Sequence, residues 1–177
     1  MPLTNLKIID PYEITQDQCP MFIQAADMRS FFGWGIRVRT KSNWNHSMIM
    51  RTPGKVVTQS WTYKEIDIKV YMQKGIILKF WRCKDITQEE RDEIASIIDY
   101  DLKQPWYKGR YDVLGVIGQL FGMRWLNVPW LNYCSEKAEE VVRIIIPGIG
   151  KHNTPEDLDC KFKNTPRMCI EGYCMEI

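Results

Sequence analysis

The sequence predicts a single α+β domain built on an antiparallel sheet, and three observations carry that prediction. Its middle third reads as short apolar runs separated by tight-turn signals. A capping box at 87–90 then switches the pattern to helical spacing. Strands come first and helices after, rather than alternating with them. The 177 residues suit one sizeable core better than two.

The strands follow in order. "HSMIM" (46–50) is a short apolar run, and the turn "TPG" (52–54) leads into "KVVTQSW" (55–61). In "EIDIKVYM" (65–72), Ile66, Ile68, Val70 and Met72 alternate with Glu65, Asp67, Lys69 and Tyr71, the period of a half-buried strand with one wet face. After "QKG", "GIILKFWR" (75–82) is a further strand. Short turns between consecutive strands imply antiparallel pairing.

Helices come next. Thr87 and Glu90 of "TQEE" form a capping box, and Ile94, Ile97 and Ile98 follow at helical spacing. "YDVLGVIGQLFG" (111–122) reads as an apolar helix with Asp112 as its cap, and "WLNVPW" (125–130) as a loop. A helix then begins near "LNYCSEKAEEVV", capped by Asn132, with Ala138, Val141, Val142 and Ile145 on its inner face and "PGIG" (147–150) as its stop. A core over about 27–158 is followed by a tail, 159–177, that reads as irregular.

Composition narrows the function. Hydrophobic residues at 45% and charged residues at 26% are ordinary for a folded globular chain. A net charge of +2 is too mild to imply nucleic acid. No apolar run reaches the ~20 residues of a membrane span, and "MPLTNLKIIDPYEITQDQC" lacks the apolar stretch of a signal peptide. The expectation is a cytoplasmic chain. Its six scattered cysteines then read as free thiols rather than a disulfide framework. His152 with Cys160, Cys169 and Cys174 lacks the paired short spacing of a structural zinc site, so no metal and no cofactor is expected.

Cys134 stands four, seven, eight and eleven residues before the inner positions of its helix, so it faces inward from the helix start. Inward cysteines are commonly small hydrophobes. A helix start, however, offers oriented N–H groups that favour a thiolate, and a thiolate nucleophile needs an imidazole. Only His46 and His152 exist, and His46, at the head of a strand, is the better placed. A third group should orient the ring. The next strand supplies Thr58, Gln59 and Ser60; Gln59 has the reach and a carbonyl acceptor, and Thr58 is the alternative.

This order of elements resembles the circularly permuted branch of the papain-like NlpC superfamily, which includes YiiX-like hydrolases and lecithin–retinol acyltransferase relatives. The residues that carry the resemblance are "TKSNWNHSMIM", "GKVVTQS", the stretch from "ITQEE" to "QLFG", "NYCSEKAEEVVR" and "TPEDLD". Ser47 stands where the branch carries an apolar residue. The resemblance implies a papain-like fold of permuted topology, with Cys134 as nucleophile and His46 as base. It implies a cysteine hydrolase or acyltransferase acting on an amide or ester of a cell-wall-type peptide or a fatty-acyl lipid. A phage or bacterial origin would fit it. The alternative is an inactive lipid- or peptide-binding module on the same fold. Trp44, Trp130 and Tyr133 are the candidate substrate contacts, and Trp34 and Trp125 could extend an apolar cleft wall. Arg37, Arg39, Lys41 and Arg51 bracket His46 and read as either a basic rim or a solvated loop.

Overall fold

The computed structural model describes residues 7–27, 37–38, 42–59, 62–105, 134–150 and 153–175. The expected helix at 111–122, the 125–130 loop, Asn132 and His152 lie outside them.

Six strands form one antiparallel sheet: β1 (Met21–Asp27), β2 (His46–Thr52), β3 (Lys55–Gln59), β4 (Tyr63–Asp67), β5 (Ile76–Cys83) and β6 (Met168–Met175). Their order in space is β4-β3-β2-β1-β5-β6. Three helices accompany them: α1 (Gln88–Leu102), α2 (Cys134–Ile145) and α3 (Pro155–Lys163). Among the described residues no helix is long and apolar enough to cross a membrane.

β1, an inner strand of the sheet, carries no alternation in sequence. Met21 through Ala26 are all buried, because apolar layers cover both faces of the strand. On one face Phe22, Ile49, Val57 and Trp81 meet α1, α2 and α3. On the other, Ile23, Met48, Val56 and Phe80 are covered by Ile14 from the N-terminal segment and Ile68 from the turn after β4.

Most sequence expectations hold. Thr87 and Glu90 cap α1 reciprocally, and Ile94 and Ile98 are buried beneath it. Ala138, Val141, Val142 and Ile145 form the buried face of α2. Two expectations need correction. The alternation over 65–72 is not one strand. Asp67 accepts a hydrogen bond from the Lys69 amide, and the chain turns into a single 3₁₀ turn over Ile68–Tyr71. Ile68 still faces inward, but Val70 is exposed and Tyr71 is carried over the sheet.

The tail is regular as well. Thr154 and Asp157 form a capping box with Pro155 at the first helical position, which starts α3. β6 then pairs with β5 along its length. The segment at 7–9 lies against β6, with the Ile9 amide bonded to the Tyr173 carbonyl at 2.9 Å and the Tyr173 amide to the Lys7 carbonyl at 2.8 Å. Gly172 permits this approach: a Cβ there would sit 2.6 Å from Ile9 Cγ2 and 2.7 Å from the Lys7 carbonyl oxygen.

One buried charge ties α3 to the sheet. Asp159 Oδ1 accepts from Lys79 Nζ and from Trp81 Nε1, both at 2.7 Å, and its Oδ2 lies 2.7 Å from Lys163 Nζ. The Lys79 and Asp159 side chains are 3% and 1% exposed. Burial alone would raise the Asp159 carboxyl, but the bonds from Lys163, Lys79 and Trp81 hold it below the usual range. Asp159→Ala would strand the Lys79 ammonium, so it should cost about 3–5 kcal/mol in denaturant unfolding. Lys163→Ala, at a half-exposed position, should cost less than about 1 kcal/mol.

Candidate functional site

The site is assembled where β2 begins. The chain arrives through Ser42–Asn45, and both ends of that approach are fixed. Ser42 Oγ and the Asn43 amide bond to Glu156 Oε2 of α3, at 3.1 and 2.8 Å. Asn45 imitates a strand residue with its side chain: Oδ1 accepts from the Asp27 amide at 3.0 Å and Nδ2 donates to the Asp27 carbonyl at 2.9 Å. His46 therefore enters the sheet opposite Ala25 with little freedom.

Alternation places His46 on the Met48 and Met50 face and Ser47 on the α2 face, where its hydroxyl donates to Gln24 Oε1 at 2.7 Å. The partner of the imidazole is Thr58, whose Oγ1 lies 2.6 Å from His46 Nε2. Gln59, preferred on the basis of reach, alternates to the opposite face with Val57. The deciding feature is a β-bulge. The pairing shifts between Met50 and Thr52, so one extra β2 residue sets Thr58, not Gln59, opposite Met48.

A residue that the sequence reading did not single out completes the cluster. Tyr71 Oη lies 3.3 Å from His46 Nε2 and 3.3 Å from Thr58 Oγ1, and its ring stacks on the imidazole with centroids 5.7 Å apart.

Cys134, the first residue of α2, is 5% exposed. The amides of Ser47, Ser135 and Cys134 itself face its sulfur, so the thiol sits against the peptide unit that follows His46. It is also close enough to Tyr71 to act on that phenol electrostatically. The structure thus brings His46, Thr58 and Tyr71 together, with the Cys134 sulfur at the amide of the residue that follows His46.

The expected thiolate does not form at rest. Burial pushes the Cys134 thiol up to about 11, outweighing the three amides that favour the anion. Burial likewise pushes His46 down to about 4, against a smaller opposing effect from Asp27. At neutral pH both groups are uncharged.

Other expectations fall elsewhere. Trp44 is 8% exposed and packs over Lys79 Nζ, 5.5 Å from the ring centroid, so it anchors the core rather than walling a cleft. Arg51 lies at the far end of β2, paired with Asp99 at 2.6 Å, and forms no rim around His46. Trp34, Arg39, Lys41, Ser60, Asp112, Trp125, Trp130 and Tyr133 lie outside the described residues. A cleft of about 600 Å³ opens beside Arg51, Arg91 and Gln16, again at the end of β2 away from His46.

No protein-family model matches the sequence, and no curated protein does. Among solved structures, the fold is similar to that of the metalloprotein YiiX from Escherichia coli O157:H7 (DUF1105). The TM-score is 0.61, with 16% identity over 91% of this chain and 99% of that one. The chain therefore has a YiiX-like fold. Among its described residues, no group of three or more His, Cys, Asp or Glu side chains could hold a metal ion.

The neutral imidazole has a measurable consequence. His46 takes a proton near pH 4 when folded and near 6.5 when unfolded, so the unfolded state is protonated first. Its contribution to stability is complete above about pH 6.5 and declines as pH falls toward 4. In a His152→Ala background, the remaining imidazole Cε1–H resonance should not titrate between pH 5 and 8. Denaturant midpoints should fall as pH drops from about 6.5 to 4, by the equivalent of about 3 kcal/mol. His46→Asn should flatten that decline.

Proposed function

We propose that the protein is a cysteine hydrolase or acyltransferase of the permuted papain-like kind, with Cys134 as nucleophile and His46 as general base. The observations that carry this reading are the placement of the Cys134 sulfur at the amide of Ser47, the residue after His46, and the hold of Thr58 on the imidazole Nε2. A nucleophile, a base and an orienting group in sequence is the arrangement that activated-nucleophile chemistry requires. The likeness to YiiX supports the fold on which the reading depends and says nothing of the reaction.

Because both groups are neutral at rest, the mechanism is general-base catalysis rather than attack by a preformed ion pair. His46 removes the thiol proton as the sulfur adds to the carbonyl carbon of an amide or ester. The tetrahedral oxygen takes hydrogen bonds from main-chain N–H groups at the start of α2, whose dipole favours negative charge there. The imidazolium then protonates the departing amine or alkoxide, leaving a thioester on Cys134. Water or an acceptor, deprotonated by His46, releases the acyl group. Thr58 keeps the ring oriented throughout. Peptides of the cell-wall type and fatty-acyl amides are the two substrate classes for this chemistry.

Activated esters test the reading without knowledge of the natural substrate. Incubation with p-nitrophenyl acetate and p-nitrophenyl dodecanoate, followed by intact mass spectrometry, should reveal one acyl group on Cys134, removable by hydroxylamine. Cys134→Ala should abolish it, and His46→Ala should slow its formation by about 10²–10⁴-fold. Acylation spread over the exposed Cys160 and the half-buried Cys169, and indifferent to His46, would instead support a non-catalytic binding module.

A further inference from the structure

We propose that Tyr71 is a positioning residue for His46: together with Thr58 it forms a hydroxyl pair that keeps the proton on the imidazole Nε2 and leaves Nδ1 to accept the proton of Cys134. The proposal rests on the reading of Cys134 and His46 as nucleophile and base.

The geometry is a closed triangle of polar atoms: Nε2 to Thr58 Oγ1 at 2.6 Å, Nε2 to Tyr71 Oη at 3.3 Å, and the two hydroxyl oxygens 3.3 Å apart. Each hydroxyl can donate one hydrogen bond and accept others, so the triangle itself can close with the ring proton on either nitrogen. The reading of Cys134 as the nucleophile breaks that symmetry, because Nε2 is already occupied. Nδ1 is bonded to Cγ and lies on the main-chain side of the ring. Cys134 sits at the amide of Ser47, the residue that follows His46. Nε2 points away from the main chain and is committed to the two hydroxyls. A base that serves Cys134 through Nδ1 must therefore carry its proton on Nε2, donating to Thr58 while Thr58 donates to Tyr71.

Thr58 alone would hold the ring at one point. Tyr71 adds a second contact and a stacked face, inclined by 27°, which resists the half-turn of the ring that would exchange the two nitrogens. Its own placement is fixed by two turns: Asp67 starts the 3₁₀ turn, and the Ile68 amide bonds to the Gly54 carbonyl at 2.9 Å, locking that turn to the β2–β3 hairpin. Burial raises the pKa of the Tyr71 phenol, which keeps it a hydroxyl at neutral pH. Asp27 of β1 acts on the imidazole electrostatically, and Thr58 and Tyr71 occupy Nε2.

The test is ¹⁵N NMR of His46 in the full-length His152→Ala protein, combined with the acylation rate of Cys134. Wild-type His46 should show a protonated, pyrrole-type Nε2 and an unprotonated, pyridine-type Nδ1. Tyr71→Phe retains the ring and removes only the hydroxyl. It should populate the opposite tautomer and slow acylation about tenfold at saturating ester, with little change in KM. Thr58→Val should act in the same direction and more strongly, and Thr58→Ser should restore both readouts. Should Tyr71→Phe fold poorly, the Thr58 pair of variants gives the same decision. A proton on Nδ1 in the wild type overturns the proposal, as does a Tyr71→Phe protein with unchanged tautomer and unchanged rate. If no acyl group forms on Cys134 in the wild type, the hydrolase reading fails while the ¹⁵N shifts still decide the positioning of the ring.

Discussion

The site depends on one extra residue in β2. Facing residues in the β2–β3 hairpin run Met48 with Thr58, Ile49 with Val57 and Met50 with Val56, and then slip so that Thr52 faces Lys55. Without that slip Met48 would face Gln59, and Thr58 would point toward the helices. Side chains alternate with a period of two, so a shift of one residue exchanges the two faces of a strand completely. The bulge is held from outside the sheet: Arg51, within it, pairs with Asp99 of α1, and the Arg51 carbonyl accepts from Gln16. Contacts at one end of β2 thereby decide which side chain meets His46 at the other.

The helix-bearing face is not uniformly apolar, and its polar members explain how the helices are located. Gln24, Ser47 and Lys79 are opposed in register across β2, β1 and β5, and each is at most 2% exposed. Ser47 satisfies Gln24, and Lys79 is satisfied by Asp159. Buried polar groups are costly unless paired, so each pairing admits few alternative positions for its partner. Asp159 locates α3 against β5, and α3 in turn presents Glu156 to Ser42 and Asn43 ahead of His46. Across the domain, Arg167 bonds to Asp85 and Glu90 and to the Ile145 carbonyl, joining the start of α1 to the end of α2. The α2 start, with Cys134, is held through that frame.

What was legible in the sequence was written in local signals. The capping box at Thr87, the apolar runs of β2 and β3, the glycine turns and the inner face of α2 all survive in the structure, because neighbours along the chain determine them. Cys134 and His46 were found for the same reason: each opens an element whose pattern is clear. β1 was hidden because burial on both faces erases alternation. Tyr71 was read as a wet strand position, since the Asp67 side chain that turns the chain inward leaves no periodic trace. Thr58 lost to Gln59 when reach was weighed without the bulge, a feature visible only in the pairing of two strands. The thiolate expected from the helix start failed on magnitude: three amides favour the anion, and desolvation outweighs them. The "TPEDLD" stretch carries part of the resemblance but predicts no helix, and α3 is buried only because the distant Lys79 gives Asp159 a partner.

The seam between residues 7–9 and β6 bears on the order in which this molecule can assemble. Lys7 is also joined to Glu171 of β6 by a 2.8 Å ion pair spanning 164 positions of sequence. A ribosome makes Lys7 164 residues before Glu171. From the completion of β5 until β6 is made, β5 waits with its outer edge unpaired, and the 7–9 segment waits with nothing to dock against. Contacts of such long range pay their loop-closure entropy before they return any stability, so they form late and leave an open edge exposed to other chains meanwhile. The small residue at 172 then has a kinetic meaning: it lets β6 accept the 7–9 segment without rearranging what has already folded.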